Sequence, residues 1–124
     1  MVELLVAVVF LAVCTSAILG CVWATESRGN YATHEAAVLA YLQDTLEEVR
    51  STARTAVPAT GTFVTNPVLS SVHEPVTVTT VIALKPGYAN LYTVTITADW
   101  NERNFRNVRA DRMTISTFVR APDA

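Results

Sequence analysis

Residues 4–23 read LLVAVVFLAVCTSAILGCVW and contain no charged side chain. About 20 apolar residues in an α-helix are enough to cross the hydrocarbon core of a bilayer. Glu3 stands immediately before this run, and no basic residue precedes Arg28. Because a carboxylate at the edge of a membrane helix is costly without a cation, the sequence predicts a membrane-spanning helix over residues 1–24 whose Glu3 requires a cationic partner.

A second helical pattern follows this apolar run. Apolar residues recur three or four positions apart, as on the buried face of an amphipathic helix: Leu39, Leu42, Leu46, Val49, Ala53 and Ala56. Pro58 disfavours helical backbone at the residue before it. We therefore predict an amphipathic helix over residues 25–57 that continues the first one, although Gly29 and Asn30 leave open a break between the two.

The pattern after Pro58 changes from helical spacing to alternation. Residues 76–84, 91–100 and 113–120 alternate apolar and polar side chains and are rich in Thr, Val and Ile, which is typical of half-buried strands. A short strand over residues 62–65 is a further option. The polar stretches KPGYAN (85–90) and NERNFRNVRA (101–110) are predicted loops. The sequence thus predicts an α+β fold, in which the long N-terminal helix packs on a small antiparallel β-sheet within residues 58–124.

Composition narrows the classes of function. The chain has 124 residues and a net charge of -2, which suits one small domain beside the apolar segment and does not indicate a polyanionic partner. Cys14 and Cys21 are too far apart along one helix to form a disulfide. His34 and His73 have no cysteine or second histidine at ligand spacing. A phosphate-binding loop and a nucleophile elbow are missing as well, so we predict no catalytic residue, metal or cofactor, and no enzyme activity.

Four arginines recur at intervals of three in and after the second predicted loop: Arg103, Arg106, Arg109 and Arg112. With Phe105 between them, they resemble the basic and aromatic side chains that bind single-stranded nucleic acid. A solvated hairpin loop explains the same pattern. So does contact with an acidic surface of a neighbouring subunit, such as that around Glu47. The three interpretations stay open, and they make this segment a candidate contact loop and DNA a candidate partner.

The opening MVELLVAVVFLAV (1–13) resembles the N-terminus of type IV pilins and of type II secretion pseudopilins. Processed chains of that family begin with an apolar run interrupted by one glutamate. TVTITADW (93–100) and RMTISTFV (112–119) are similar to the final strands of small minor pseudopilins and minor pilins. The resemblance implies a structural subunit of the minor kind, which assembles into a helical filament through its N-terminal hydrophobic helix.

The resemblance also implies roles for two residues. The family's assembly glutamate, which neutralises the N-terminal amine of an adjacent subunit, corresponds to Glu3, and the family's helix-weakening position corresponds to Gly20. In the family the glutamate is the fifth residue of the processed chain, which follows a short basic leader ending in glycine. We therefore expect Met1 to lie two residues inside the processed sequence.

The partners implied are other pilin or pseudopilin subunits, an inner-membrane assembly platform and, for the unprocessed precursor, a prepilin peptidase, with N-terminal methylation after processing. The implied location is the bacterial inner membrane, crossed once, with the soluble domain in the periplasm and then on the filament surface. The resemblance does not choose between type II secretion, pilus assembly and DNA uptake. Two alternatives remain: ILGC (18–21) resembles a lipobox and suggests a lipoprotein acylated at Cys21, or the chain is a single-span binding module that uses its Arg-rich loop.

Overall fold

The computed structural model describes residues 1–103 and 107–122, apart from the side chain of Ser27. The described residues form one long α-helix and a sheet of four strands, which are α1 (Val2–Thr55), β1 (Gly61–Thr65), β2 (Val76–Leu84), β3 (Leu91–Arg103) and β4 (Val108–Arg120). The chain divides into two compact units, Met1–Thr33 and His34–Ala124. The predicted α+β fold is confirmed.

The first unit is helical from Val2 onward, and the helix continues through Gly29 and Asn30 without a break. Its most apolar 18-residue window has a mean hydropathy of 2.7, and none of that window is buried within the chain. By length and composition α1 is therefore able to cross a membrane once. The large side chains along this window, such as Phe10 at 70% exposure, have no cover from the rest of the chain.

The sheet in the second unit is an antiparallel meander with strand order β1-β2-β3-β4. β2 has the bounds that alternation predicts, residues 76–84. The predicted loop over residues 101–110 is wrong in its extent. The ladder between β3 and β4 continues through the pairs Asn101↔Ala110 and Arg103↔Val108, because ladder hydrogen bonds and packing outweigh the weak β-propensity of these polar side chains.

The core of the second unit lies between one face of the sheet and the helical segment that begins at His34. Every second residue of β3 from Tyr92 to Trp100 is buried, as strand alternation requires. On the helix, Val38 and Leu42 are fully buried, whereas Leu39 is 37% exposed. The predicted apolar stripe is therefore wrong at its first position, because the rotation of the helix turns Val38 toward the sheet and Leu39 to the edge of the contact.

The last predicted position of the stripe is also wrong. Ala56 is exposed and lies just beyond the helix, which ends at Thr55. The core contact on α1 ends one turn earlier, at the fully buried Ala53. Pro58, placed by the sequence as the helix stop, follows three residues after the observed end, in agreement with the restriction that proline imposes on the residue before it.

Candidate functional site

Glu3 lies in the first turn of α1 and is exposed. Acidic side chains are favoured there by the positive end of the helix dipole. Within the described part of the chain, no Lys, Arg, His or N-terminal amine forms an ion pair with this carboxylate. The described residues therefore supply no cation for Glu3, which an apolar environment would require.

The hydroxyl side chains of the apolar helix satisfy their hydrogen bonds within the helix. Thr15 Oγ1 donates to the Leu11 carbonyl at 2.7 Å, and Ser16 Oγ donates to the Ala12 carbonyl at 2.9 Å. Internal satisfaction of polar groups is what a water-free environment demands. The helix thus exposes an almost wholly apolar surface to its surroundings despite these side chains.

Gly20, the position that the family resemblance implies as a soft point, is helical. A Cβ atom added at Gly20 would meet no atom within 4 Å. The chain itself therefore does not require a glycine there for close packing. The helix propensity of glycine is about 1 kcal/mol less favourable than that of alanine, and this difference is the physical basis for the predicted helix-weakening position at Gly20.

The three described arginines of the predicted contact loop do not lie on one face of the sheet. Arg103 lies on β3, Arg109 and Arg112 lie on β4, and Arg106 lies outside the described residues. Because side chains three apart on a strand point to opposite faces, Arg109 shares the helix-facing side with Glu102, and Arg112 lies on the outer face. Equal spacing in the sequence therefore does not produce one basic surface.

Each of the three described arginines of this set lies near a carboxylate. Arg103 Nε is 3.8 Å from Glu74 Oε1, Arg109 Nε is 3.2 Å from Asp111 Oδ1, and Arg112 Nε is 2.5 Å from Asp99 Oδ1. The hydrogen bond with Asp99 and the charge of that carboxylate raise the pKa of Arg112 above its usual value. An added phosphate would have to compete with these carboxylates.

A half-buried polar cluster joins α1 to the end of β3. His34 Nδ1 lies 2.7 Å from Glu102 Oε1, and Trp100 Nε1 donates to Glu102 Oε2 at 3.3 Å. The side chains of His34 and Glu102 are only 18% and 12% exposed. Both oxygens of the Glu102 carboxylate are therefore bound, and the contact fixes residues 68 positions apart in the sequence.

Asp111 lies beside this cluster, directly opposite Trp100 in the strand register. Its side chain is 8% exposed, and its Oδ1 is paired with Arg109. Its Oδ2 is buried without a hydrogen-bond partner among the described residues. Sequence reasoning missed the roles of Glu102 and Asp111 because it assigned Glu102 to a loop and began the last strand only at residue 113. Extending the alternation of β3 one step beyond Trp100 places Glu102 on the buried face.

We expect Glu102→Ala to lower the free energy of unfolding by about 1–3 kcal/mol, because it leaves His34 and the Trp100 indole N–H without their half-buried partner. Urea unfolding of the full chain in detergent micelles, followed by Trp100 fluorescence in a Trp23→Phe background, measures this change. Glu48→Ala is the matched control, since Glu48 is exposed on the same unit and surface substitutions usually change stability by less than about 0.5 kcal/mol. Equal losses in the two variants would contradict a structural role of the cluster.

An exposed cationic and aromatic group lies at the turn between β2 and β3. We call it the Lys85 patch, and it consists of Lys85, Tyr88 and Phe118. Lys85 Nζ lies 5.0 Å from the centre of the Tyr88 ring and 4.4 Å from that of Phe118. The two aromatic residues are 56% and 58% exposed, and no carboxylate pairs with Lys85 in the described part of the chain.

Turn geometry and strand alternation bring the Lys85 patch together. Gly87 has a φ of 86°, a conformation that glycine adopts without penalty, and the Lys85 N–H donates to the Leu91 carbonyl at 2.8 Å to close the hairpin. Phe118 belongs to the outer face of β4, because its neighbour Val119 is buried on the other face. Sequence reasoning treated KPGYAN only as a turn. The sequence signal for the patch was Phe118, an aromatic residue at a position where the alternation predicts a polar, outward-facing side chain.

Comparisons with protein-family models, with curated proteins and with solved structures find no match. Three features of the described residues bear on function: an apolar helix that they do not cover, Glu3 at its start without an ion pair among them, and a small sheet domain that carries charged and aromatic surface groups.

Proposed function

We propose that the protein is a minor structural subunit of a type IV pilus or of a type II secretion pseudopilus, which assembles through its N-terminal hydrophobic helix. The observation that carries the proposal is the combination of two features of the described residues: an apolar helix that they leave uncovered, and an acid in its first turn, Glu3, that forms no ion pair with them. A simple anchor needs only the apolar surface. A subunit that leaves the lipid for a filament core also needs a charge to align it with its neighbour.

Two environments cover the apolar surface of α1 in this proposal. Before assembly, lipid surrounds the helix, and after assembly the helices of neighbouring subunits replace the lipid. Small side chains let such helices approach one another closely, and the apolar segment contains several: Ala7, Ala12, Ser16, Ala17 and Gly20. Because the hydroxyls donate to the helix's own carbonyls, the move between the two environments breaks none of these hydrogen bonds.

Glu3 has a specific task in the filament core. An ionised carboxylate in apolar surroundings is stable only when it is paired, and the N-terminal amine of an adjacent subunit is a cation located at the same end of the bundle. Pairing would set the axial position of one subunit against the next. Filament incorporation of a Glu3→Gln variant tests the proposal, because assembly depends on this charge and membrane insertion does not.

The proposed location is the bacterial inner membrane, crossed once by α1, with the sheet domain in the periplasm and on the filament surface after assembly. The partners that follow are other pilin or pseudopilin subunits, an inner-membrane assembly platform and a prepilin peptidase that acts on the precursor. DNA is not part of the proposal, since the described arginines of the predicted contact loop already lie near carboxylates of the same sheet.

We expect Cys21→Ser to leave the protein in the membrane fraction and in filaments at wild-type levels. The reason is that the uncovered apolar helix, and not an acyl chain, would hold the chain in the bilayer. Fractionation of cells measures the amount of protein in the membrane and in sheared filaments. Labelling with a radioactive fatty acid shows whether the protein is acylated. Cys14→Ser is the matched control on the same helix. Loss of the label together with release of the Cys21→Ser protein from the membrane would show a lipoprotein and contradict the proposal.

A further inference from the structure

The outward side of α1 in the second unit carries a row of exposed side chains spaced four residues apart. This α1 outer row consists of Ala36, Ala40, Asp44 and Glu48. Residues four apart are neighbours on a helix surface, where like charges repel each other. Asp44 and Glu48 are such a pair, and neither forms an ion pair within the described residues. The row therefore ends in two carboxylates without a cation.

The Lys85 patch has complementary properties on the opposite layer of the same unit. Its ammonium group lies over two aromatic rings that are more than half exposed. Exposed aromatic rings beside a cation are the kind of group that dominates the energy of protein interfaces.

We propose that the Lys85 patch of one copy of this chain binds the α1 outer row of a second copy. The Lys85 ammonium meets the carboxylates of Asp44 and Glu48, and the rings of Tyr88 and Phe118 lie over Ala36 and Ala40. The alanines leave room for the rings beside the helix backbone. This inference rests on the proposed function and adds to it by naming one neighbour of the subunit as another copy of the same chain, beside the other pilin or pseudopilin subunits of the filament.

The two surfaces are different parts of the molecule, so the contact is heterologous. Each copy offers one surface to the copy before it and the other to the copy after it. Contacts of this kind produce rings or open helical assemblies, and not closed twofold dimers. A helical assembly is the form that a filament subunit requires, and the contact would hold the sheet domains while α1 packs in the core.

Cross-linking of the full chain in bacterial membranes tests the contact. Two differently tagged copies are produced in a Cys14→Ala, Cys21→Ala background, one with Lys85→Cys and the other with Glu48→Cys, and treated with a short bismaleimide. We expect a cross-linked product that carries both tags. The pairs with two Lys85→Cys copies or two Glu48→Cys copies should give none, and neither should Thr114→Cys with Glu48→Cys, which uses an exposed position on the same sheet face.

Charge reversal gives an independent measurement. Lys85→Glu in both tagged copies should lower their co-purification by at least about 10-fold, since it opposes like charges across every contact. Combining Lys85→Glu with Glu48→Lys in both copies should restore it. An undiminished signal in Lys85→Glu, or a lack of restoration by the pair, would overturn the proposal.

Two further results separate this contact from other interpretations. If filaments form and depend on Glu3, but cross-linking between positions 48 and 85 is absent, the contact is wrong and the proposed function stands. If cross-linking occurs and the protein is absent from sheared filaments, the proposed function fails and the contact stands. Binding of oligodeoxythymidine that is lost in Lys85→Glu, without cross-linking, would make the patch a site for polyanions and overturn the contact.

Discussion

Glu3→Gln is expected to reduce incorporation of the protein into filaments by about 100-fold or more, while its amount in the membrane stays at the wild-type level. Removal of one partner from a buried ion pair costs about 3–5 kcal/mol, because the other charge remains buried and unpaired. In the proposed filament that remaining charge is the N-terminal amine of a neighbouring subunit. Insertion into lipid depends on the apolar window of α1, and the substitution leaves this window unchanged.

The measurement compares sheared filaments with the membrane fraction of the same cells. Glu26→Gln is the matched control, because it is the same substitution on the same helix, at a position outside the uncharged run. Incorporation of Glu26→Gln should remain within about twofold of wild type, as expected for an exposed surface position. Equal incorporation of the two variants would show that assembly does not depend on Glu3 and would contradict its proposed pairing with the amine of a neighbouring subunit.

Leu42→Ala is expected to lower the free energy of unfolding of the sheet domain by about 2–5 kcal/mol, the usual range for loss of a fully buried leucine. Leu42 is 0% exposed at the contact between α1 and the sheet. Removal of its side chain leaves a cavity in the buried apolar cluster of this unit and takes away the apolar contacts that the side chain makes there. Because small domains are stable by only about 5–15 kcal/mol, this loss should be visible in the yield of folded protein.

Leu39→Ala is the control that separates the observed core from the stripe predicted from spacing. Leu39 is 37% exposed, so its replacement should cost less than about 1 kcal/mol. Amide hydrogen exchange of β3 in the full chain, in detergent micelles, reports the free energy of opening for the sheet domain. Comparable losses in the two variants would mean that the helix is rotated from the position described.

Much of the fold could be predicted because three local patterns are strong in this chain. The uncharged run over residues 4–23 predicts a long apolar helix, the spacing around Leu42 predicts an amphipathic continuation, and the alternation over residues 76–84 predicts β2 at its observed bounds. Each pattern follows from the geometry of one backbone type, since helices repeat every 3.6 residues and strands every two. No contact between distant residues is needed to interpret them.

The surface groups were much harder to predict. Spacing in the sequence grouped the four arginines, but the strand register separates Arg109 from Arg112 and pairs each with its own carboxylate. The contact between His34 and Glu102 joins residues 68 positions apart, and neither residue has a local pattern that predicts the other. Lys85 and Phe118 come together only because the turn between β2 and β3 and the last residues of β4 lie at the same end of the sheet.

The sequence by itself determined that the chain has one helix able to cross a membrane, an acid at its start, and an α+β organisation with an antiparallel sheet. Only the tertiary structure decided which face of α1 is buried, how far β3 and β4 extend, and which charged groups meet. The physical reason is that periodicity belongs to the backbone of a single element. The rotation of a helix against a sheet and the register between strands depend on the packing of all elements together.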